Sequence, residues 1–211
     1  MTLEPLISFC IISYNAREFL ENCLSSLIEN RPRSEYEIII VDNHSSDGSV
    51  EMIRRNHPST QLEVLDAHIG YTRAMNIALK KARGHFLVQL NPDTIINPGV
   101  WDALVDFMND HDEVGICTPK VLNRDGTLQK QCRRSAAGPW DTFCYISGLS
   151  RAFPRSRCLT GYLMTTMDEN AVHPCEAVSG SCMFISREVI KKIGYLDEAY
   201  YAYQEDSDYC F

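Results

Sequence analysis

The chain has 211 residues, 45% of them hydrophobic and 23% charged, with a formal net charge of −8. That is the composition of a soluble globular protein long enough to bury one real core. The acidic balance argues against a nucleic-acid binder that works by neutralising phosphates, and no stretch approaches the ~20 apolar residues of a membrane-spanning helix.

Nine cysteines are scattered without a C-x-x-C pair, which argues against a zinc ribbon or a thioredoxin-type site. Cys10, Cys117 and Cys182 sit inside apolar runs, where cysteine acts as a small hydrophobe. An odd, unpatterned set points to a reducing compartment. The first residues, MTLEPLISFCIISYN, lack the basic region and long apolar run of a secretion signal. A cytoplasmic location is therefore expected.

In chain order, Leu6 to Ser13 reads as a strand buried on both faces. Phe19, Leu20, Cys23, Leu24, Leu27 and Ile28 recur at helical spacing, and Arg31-Pro32 ends that helix. Tyr36 to Val41 is a second buried strand; the polar loop DNHSSDGS follows, and Val50 and Ile53 begin a short helix. Gln61 to Leu65 is a weaker strand. Ala74, Ile77, Ala78 and Ala82 mark the inner stripe of the next helix, with Gly84 as its cap. His85 to Leu90 is the fourth strand. Asn97-Pro98 is expected to open a helix running through Met108, and Val114 to Val121 a fifth strand. Asn123-Arg124-Asp125-Gly126 signals a turn. From Arg133 to Asn170 no period is visible, which predicts a long, partly ordered insertion over the site. Ala177 to Ser186 alternates as a strand broken by Gly180, and a helix from Arg187 to Ile193 is closed by Gly194.

Short-linked alternation of buried strands and helices predicts an α/β fold with a mostly parallel central sheet. Ligands of such sheets bind outside the carboxyl ends of the strands, where strand order reverses. Tyr14-Asn15, Asp42 and the tip Asn91-Pro92-Asp93 all follow strands directly, so they are expected to share one edge. SYNAREFL after the first strand contains no glycine-rich phosphate cradle. This argues against a Rossmann dehydrogenase, a P-loop NTPase and a sugar-1-phosphate nucleotidyltransferase. A lone carboxylate on a rigid tip suits Mg²⁺ or Mn²⁺, which can take few protein ligands when phosphates supply the rest. Asp42 can accept the N3–H of uracil or thymine, and guanine presents a donor edge too; Tyr14 can stack on a base. Glu205, Asp206 and Asp208 follow an aromatic run. They read either as helix N-terminal acids or as the source of a general base.

The segments IISYNAREFLENCLSSL, EIIIVDNHSSDGS, GYTRAMNIALKKARGHFLVQLNPDT and AVSGSCMFISREVIKKIGYLDEAYYAYQEDSD together resemble the family 2 glycosyltransferases, inverting enzymes of the GT-A fold, and their rhamnosyltransferase-like branch. The resemblance implies a Rossmann-like central sheet flanked by helices with a smaller antiparallel acceptor-side portion. It implies one domain over 1–211, with about 1–121 binding the nucleotide-sugar and about 122–211 the acceptor. Tyr14, Asp42, Gly70, Arg73 and Asn91 would bind the nucleotide, and Asp93 the metal. Gly180 and Ser181 would bind sugar or acceptor. Asp206 would be the catalytic base, with Glu205 helping to bind the acceptor. The implied partners are a nucleotide-diphosphate sugar donor, dTDP-rhamnose or a UDP-sugar, and a saccharide or lipid-linked saccharide acceptor. Nucleic acid is not among them, and a homodimer and peripheral placement at the inner face of the membrane are also expected. Asn91-Pro92-Asp93 departs from the family's D-x-D motif by lacking the first acid. Because relatives continue past the Glu-Asp pair, the chain is expected to be truncated at its C-terminus. The alternative is a non-catalytic domain that binds a nucleotide-sugar or a partner.

Overall fold

The computed structural model describes residues 4–135, 138–153, 156, 158 and 161–211. Two compact units are present. One comprises the chain up to Pro119 together with Gly180–Glu205; the other comprises Lys120–Ser179 together with Asp206–Phe211.

The first unit begins with β1 (Ile7–Ser13), α1 (Arg17–Glu29), β2 (Tyr36–Asp42) and α2 (Ser49–Asn56). It continues through β3 (Gln61–Val64), α3 (Tyr71–Lys81), β4 (Phe86–Leu90), α4 (Val100–Asp110) and β5 (Ile116–Cys117). The strands β1, β2 and β4 are buried on both faces, which explains their unbroken apolar sequences. With β8 (Cys182–Ser186) they form one sheet in the order β3-β2-β1-β4-β8-β5. β3, β2, β1 and β4 run parallel, and β8 is antiparallel to both β4 and β5. The strand order reverses around β1, the position at which open α/β sheets leave a crevice.

Alternation along each strand sends Ile7, Phe9, Ile11, Ile38, Ile40, Val88 and Phe184 into a core with Leu20, Leu24 and Leu27 of α1 and Trp101 of α4. Phe9 meets Trp101 edge-on at 4.7 Å. The opposite face packs Cys10, Ile39, Val41 and Met183 beside the buried Ala74, Met75 and Ala78 of α3.

The start of β2 is held by a closed polar clamp. Buried Glu37 accepts five hydrogen bonds: from the Ser8 hydroxyl (2.7 Å), the Gln61 amide (2.7 Å), and the Arg83 backbone N–H (2.7 Å), Nε (3.0 Å) and Nη2 (2.7 Å). Burial alone would raise the Glu37 pKa, but these donors outweigh it and hold the carboxyl below its ordinary value.

Several expectations change on inspection. Gly84 is not the cap of α3, whose C-cap is the extended Ala82. A Cβ on Gly84 would lie 2.7 Å from the Ser8 nitrogen and 2.8 Å from the Ile7 carbonyl carbon, so glycine lets this loop cross β1. The fourth helix starts at Val100, two residues later than Asn97-Pro98 implied, because Gly99 is left-handed at φ 78°. The fifth strand pairs only over Ile116–Cys117; Pro119 has no N–H to extend the ladder. The predicted helix Arg187–Ile193 is present as α7, closed by Gly194 at φ 91°.

In the second unit the expected turn is present. Leu122 bridges to Leu128, and Gly126 at φ 82° donates to the Asn123 carbonyl. β6 (Arg133–Arg134) pairs antiparallel with β7 (Ala177–Val178), so the strand predicted to break at Gly180 serves two separate sheets. Where sequence showed no period, the chain forms α5 (Pro139–Ile146) and α6 (Leu149–Ala152); Ala136, Ala137, Pro154, Arg155, Arg157, Leu159 and Thr160 lie outside the described residues. The last element is α8 (Glu205–Cys210). All nine cysteines are free, and Cys158 alone is exposed. Burial pushes Cys23 up to about 11 and Cys117 and Cys182 up to about 12. No described helix is long and apolar enough to cross a membrane.

Candidate functional site

β1 and β2 end in register, with Ser13 opposite Asp42, so Tyr14 and Asp42 are delivered to neighbouring positions. The loops that follow are stitched together. Asn15, left-handed at φ 47°, donates its N–H to the Ser45 hydroxyl (2.9 Å), and its Oδ1 accepts the Ser46 N–H (2.9 Å). Asp47 accepts the Arg17 N–H (2.9 Å). Burial would raise the Asp47 pKa, but the bonds from Ser49 and Arg17 outweigh it and lower it.

Asp42 is fully buried. Its Oδ1 accepts the Ser45 N–H (2.9 Å), whereas its Oδ2 has no hydrogen-bond partner among the described residues. A carboxylate oxygen left bare in a buried position costs more than one kcal/mol, of order 1–3 or more. Tyr14 is half exposed, and its ring meets His68 edge-on at 4.2 Å; His68 Nδ1 lies 2.6 Å from the Tyr201 hydroxyl. An aromatic series, Tyr14–His68–Tyr201, thus runs from the end of β1.

The start of α3 ties the remaining pieces together. Buried Asn43 accepts the Ile69 N–H (2.9 Å) and donates to the Gly70 carbonyl (3.1 Å). Gly70 has φ +90°, and a Cβ there would lie 2.8 Å from the Tyr201 ring and 2.9 Å from the Tyr201 carbonyl. The Tyr71 N–H donates to that carbonyl (2.9 Å), and the Tyr71 hydroxyl donates to Asn91 Oδ1 (3.2 Å). The Asn91 N–H donates to the Ser181 carbonyl (2.9 Å), and its own carbonyl accepts the Thr94 hydroxyl (2.7 Å). The tip is therefore rigid, and the turn that sequence alone suggests is real. Asp93 stands on it exposed, with no hydrogen bond or ion pair among the described residues.

A cavity of about 380 Å³ is lined by His68, Ile69, Arg73 and Glu198–Tyr201. It takes in Arg73 but not Tyr14, Asp42 or Asp93. Arg73 is exposed and lies 3.7 Å from Glu198. Gly180 and Ser181 face the sheet through their carbonyls, Gly180 accepting the Gln89 amide at 3.4 Å. Strand register thus sets Tyr14 near Asp42, and Asn43 and Tyr71 tie the start of α3 to Gly70 and Asn91.

Glu205 opens α8 and is buried, 6% exposed. The two residues before it, Tyr203 and Gln204, are left-handed at φ 67° and 73°. Asp206 belongs to the second unit, where its Oδ2 accepts Arg134 Nη2 at 2.7 Å and its Oδ1 accepts the Ser207 N–H at 2.7 Å. Arg134 also donates to the Val178 carbonyl (2.9 Å). Burial would lower the Arg134 pKa, but the Asp206 carboxylate and Tyr162 outweigh it and raise it.

Sequence reasoning missed Asn43, Tyr71 and Arg134. Asn43 could have been found as a second polar residue at the end of a buried strand. Nothing local marks Arg134, whose carboxylate partner lies 72 positions along the chain.

Among the described residues, no group of three or more His, Cys, Asp or Glu could hold a metal ion. That argues against a closed all-protein cage. One exposed carboxylate on a fixed tip does fit Mg²⁺ or Mn²⁺ bound jointly with substrate phosphates.

Comparison with known proteins gives the family and the fold. The family model described as glycosyl transferase family 2 matches residues 8–194. The N-acetylglucosaminyl-diphospho-decaprenol L-rhamnosyltransferase of Mycobacterium tuberculosis is 26% identical, covering 98% of this chain and 69% of its own. The low-salt glycan biosynthesis hexosyltransferase Agl10 of Haloferax volcanii is 25% identical, covering 100% of this chain and 62% of its own. Among solved structures, Staphylococcus aureus TarS 1–349 in complex with UDP aligns with TM-score 0.64 at 18% identity, over 97% of this chain and 53% of that one. The mannosyltransferase PcManGT of Pyrobaculum calidifontis, in complex with GDP-Man and Mn²⁺, aligns with TM-score 0.60 at 21% identity, over 99% of this chain and 51% of that one. The fold is thus that of GT-A glycosyltransferases, and the chain spans about half the length of these solved proteins.

Proposed function

The chain belongs to glycosyltransferase family 2, and from that premise we propose that it moves a sugar from a nucleotide-diphosphate donor to a hydroxyl of a cell-envelope or polysaccharide acceptor, with inversion. The donor is dTDP-rhamnose or a UDP-sugar. The observation that carries this reading is the bare, buried Oδ2 of Asp42 beside Tyr14. That oxygen accepts the N3–H of uracil or thymine and rejects cytosine, which presents an acceptor there. Tyr14 stacks on the base. The mycobacterial relative, named for rhamnosyl transfer to a diphospho-decaprenol, supports a lipid-linked acceptor.

Asn91 and its bonds to Tyr71 and Ser181 hold the tip so that Asp93 meets the donor diphosphate with little freedom. Asp93 would hold the Mg²⁺ or Mn²⁺, which when bound supplies charge compensation for the leaving diphosphate. Asp206 takes the proton of the acceptor hydroxyl as that oxygen attacks the anomeric carbon, and no covalent sugar–protein intermediate forms. Arg134 donates to Asp206 Oδ2 at 2.7 Å and fixes the orientation of the carboxylate. Glu205 assists acceptor binding, as do the backbones of Gly180 and Ser181.

The test is a thermal-shift panel of UDP, dTDP, CDP and GDP with and without Mn²⁺, followed by transfer assays. UDP or dTDP stabilises the wild type while CDP does not, and equal responses to UDP and CDP would sink the base assignment. Asp93→Ala loses the Mn²⁺-dependent part of the shift. Asp206→Asn keeps the nucleotide shift but loses roughly 10²–10⁴-fold in turnover. The ion pair between Arg134 and Asp206 gives the non-catalytic reading its one foothold. Unchanged transfer in Asp206→Asn would remove that residue as the base, and absence of transfer in the wild type would favour a binding domain.

A further inference from the structure

Tyr201 touches the donor side at three points, all within the first unit. Its hydroxyl lies 2.6 Å from His68 Nδ1, and its backbone carbonyl accepts the Tyr71 N–H at 2.9 Å. Its ring stands 2.8 Å from where a Cβ on Gly70 would lie. Yet the residue is 62% exposed and takes no part in the hydrophobic core. Apolar burial therefore does not account for these contacts.

The contacts lead to Tyr14. The Tyr201 hydroxyl holds His68 on one side, and on the other the His68 ring meets the Tyr14 ring edge-on at 4.2 Å. Among the described residues, His68 is the one aromatic or hydrogen-bonding neighbour of the Tyr14 side chain. A half-exposed tyrosine without such a neighbour moves among several rotamers. Fixing it beforehand removes part of the ordering cost of stacking a base on it.

Tyr201 also bounds a strained piece of chain. Tyr203 and Gln204 are both left-handed, at φ 67° and 73°, a conformation that non-glycine residues keep when their surroundings over-determine it. Glu205, buried at the start of α8, fixes one flank of this pair, and the bonds of Tyr201 fix the other.

We propose that Tyr201 is a positioning residue for the donor nucleotide. Acting through His68, it holds Tyr14 in the orientation that stacks on the base, and it anchors the strap that runs on to Glu205. This rests on the reading of Tyr14 as the base-stacking residue.

UDP affinity is measured by isothermal titration calorimetry on the full chain, on Tyr201→Phe, on Tyr14→Ala and on the double variant. Phenylalanine keeps the ring beside Gly70 and the backbone carbonyl and removes only the hydroxyl. At this exposed position the melting temperature without nucleotide therefore stays at the wild-type value. Tyr201→Phe is expected to weaken UDP binding roughly threefold to tenfold, the range of one hydrogen bond. In the Tyr14→Ala background the same change is expected to have no further effect, because it acts through the missing ring. A role limited to holding the loop would lower affinity by the same factor in both backgrounds. Equal losses in the two backgrounds, or wild-type affinity in Tyr201→Phe, overturn the proposal and leave the donor reading intact. Unchanged affinity in Tyr14→Ala refutes the stacking reading itself, and the proposal with it.

Discussion

β2 carries a buried carboxylate near each end, and the two have different surroundings. Glu37, near its start, is saturated by Ser8, Gln61 and Arg83. Asp42, its last residue, has one oxygen served by Ser45 and the other bare. The same strand and the same burial thus yield a closed site and an open one. A saturated carboxylate has little left to offer a ligand, and its contribution goes to folding. An unsaturated one weakens the empty protein and gains when a donor group arrives.

This contrast can be broken by exchange of function between the ends. The largest effect is expected from Glu37→Ala, which strands the groups that clamp it and lowers unfolding free energy by about 3–5 kcal/mol. Urea denaturation measures that loss, and nucleotide affinity, taken at a temperature where the variant is folded, stays unchanged. A variant that loses nucleotide binding in proportion to stability would erase the distinction. Asp42→Asn is expected to do the opposite. UDP affinity falls roughly 10–100-fold, about 1.5–3 kcal/mol, while stability without ligand holds or rises. The new amide can donate to the N3 of cytosine, so titration with CDP should show a gain. The smallest effect concerns acid. The pKa of Glu37 is depressed in the folded state, so its contribution is present above the unfolded value near 4.3 and lost as pH falls through the folded value. Glu37→Gln should therefore lose less stability than the wild type between about pH 5 and pH 3, and parallel acid limbs would refute the linkage.

The strand-end residues Asp42 and Asn91 are legible because they rest on strands whose burial is written in their composition. Ile38 to Val41 and Leu87 to Leu90 need no long-range information to be read as core, and the polar residue ending each run marks the edge. Asn91 is legible on the same grounds, and Gly70 only through the resemblance to family 2 glycosyltransferases. Their partners Tyr71 and Asn43 were not, since a hydroxyl or amide in a loop does not announce its acceptor. The second unit was opaque for another reason. The apolar residues of α5 face outward, so they trace no inward stripe against a core, and the stretch read as patternless. Arg134 lies in a two-residue strand, too short for any period.

The sulfur inventory has a practical consequence. A thiol reacts through its thiolate, and burial keeps Cys10, Cys23, Cys117 and Cys182 protonated at neutral pH. Cys158 is open to solvent, and its carbonyl holds the Trp140 indole. A maleimide fluorophore added to the native chain would therefore attach first beside α5, a natural mounting point for following the surroundings of that helix.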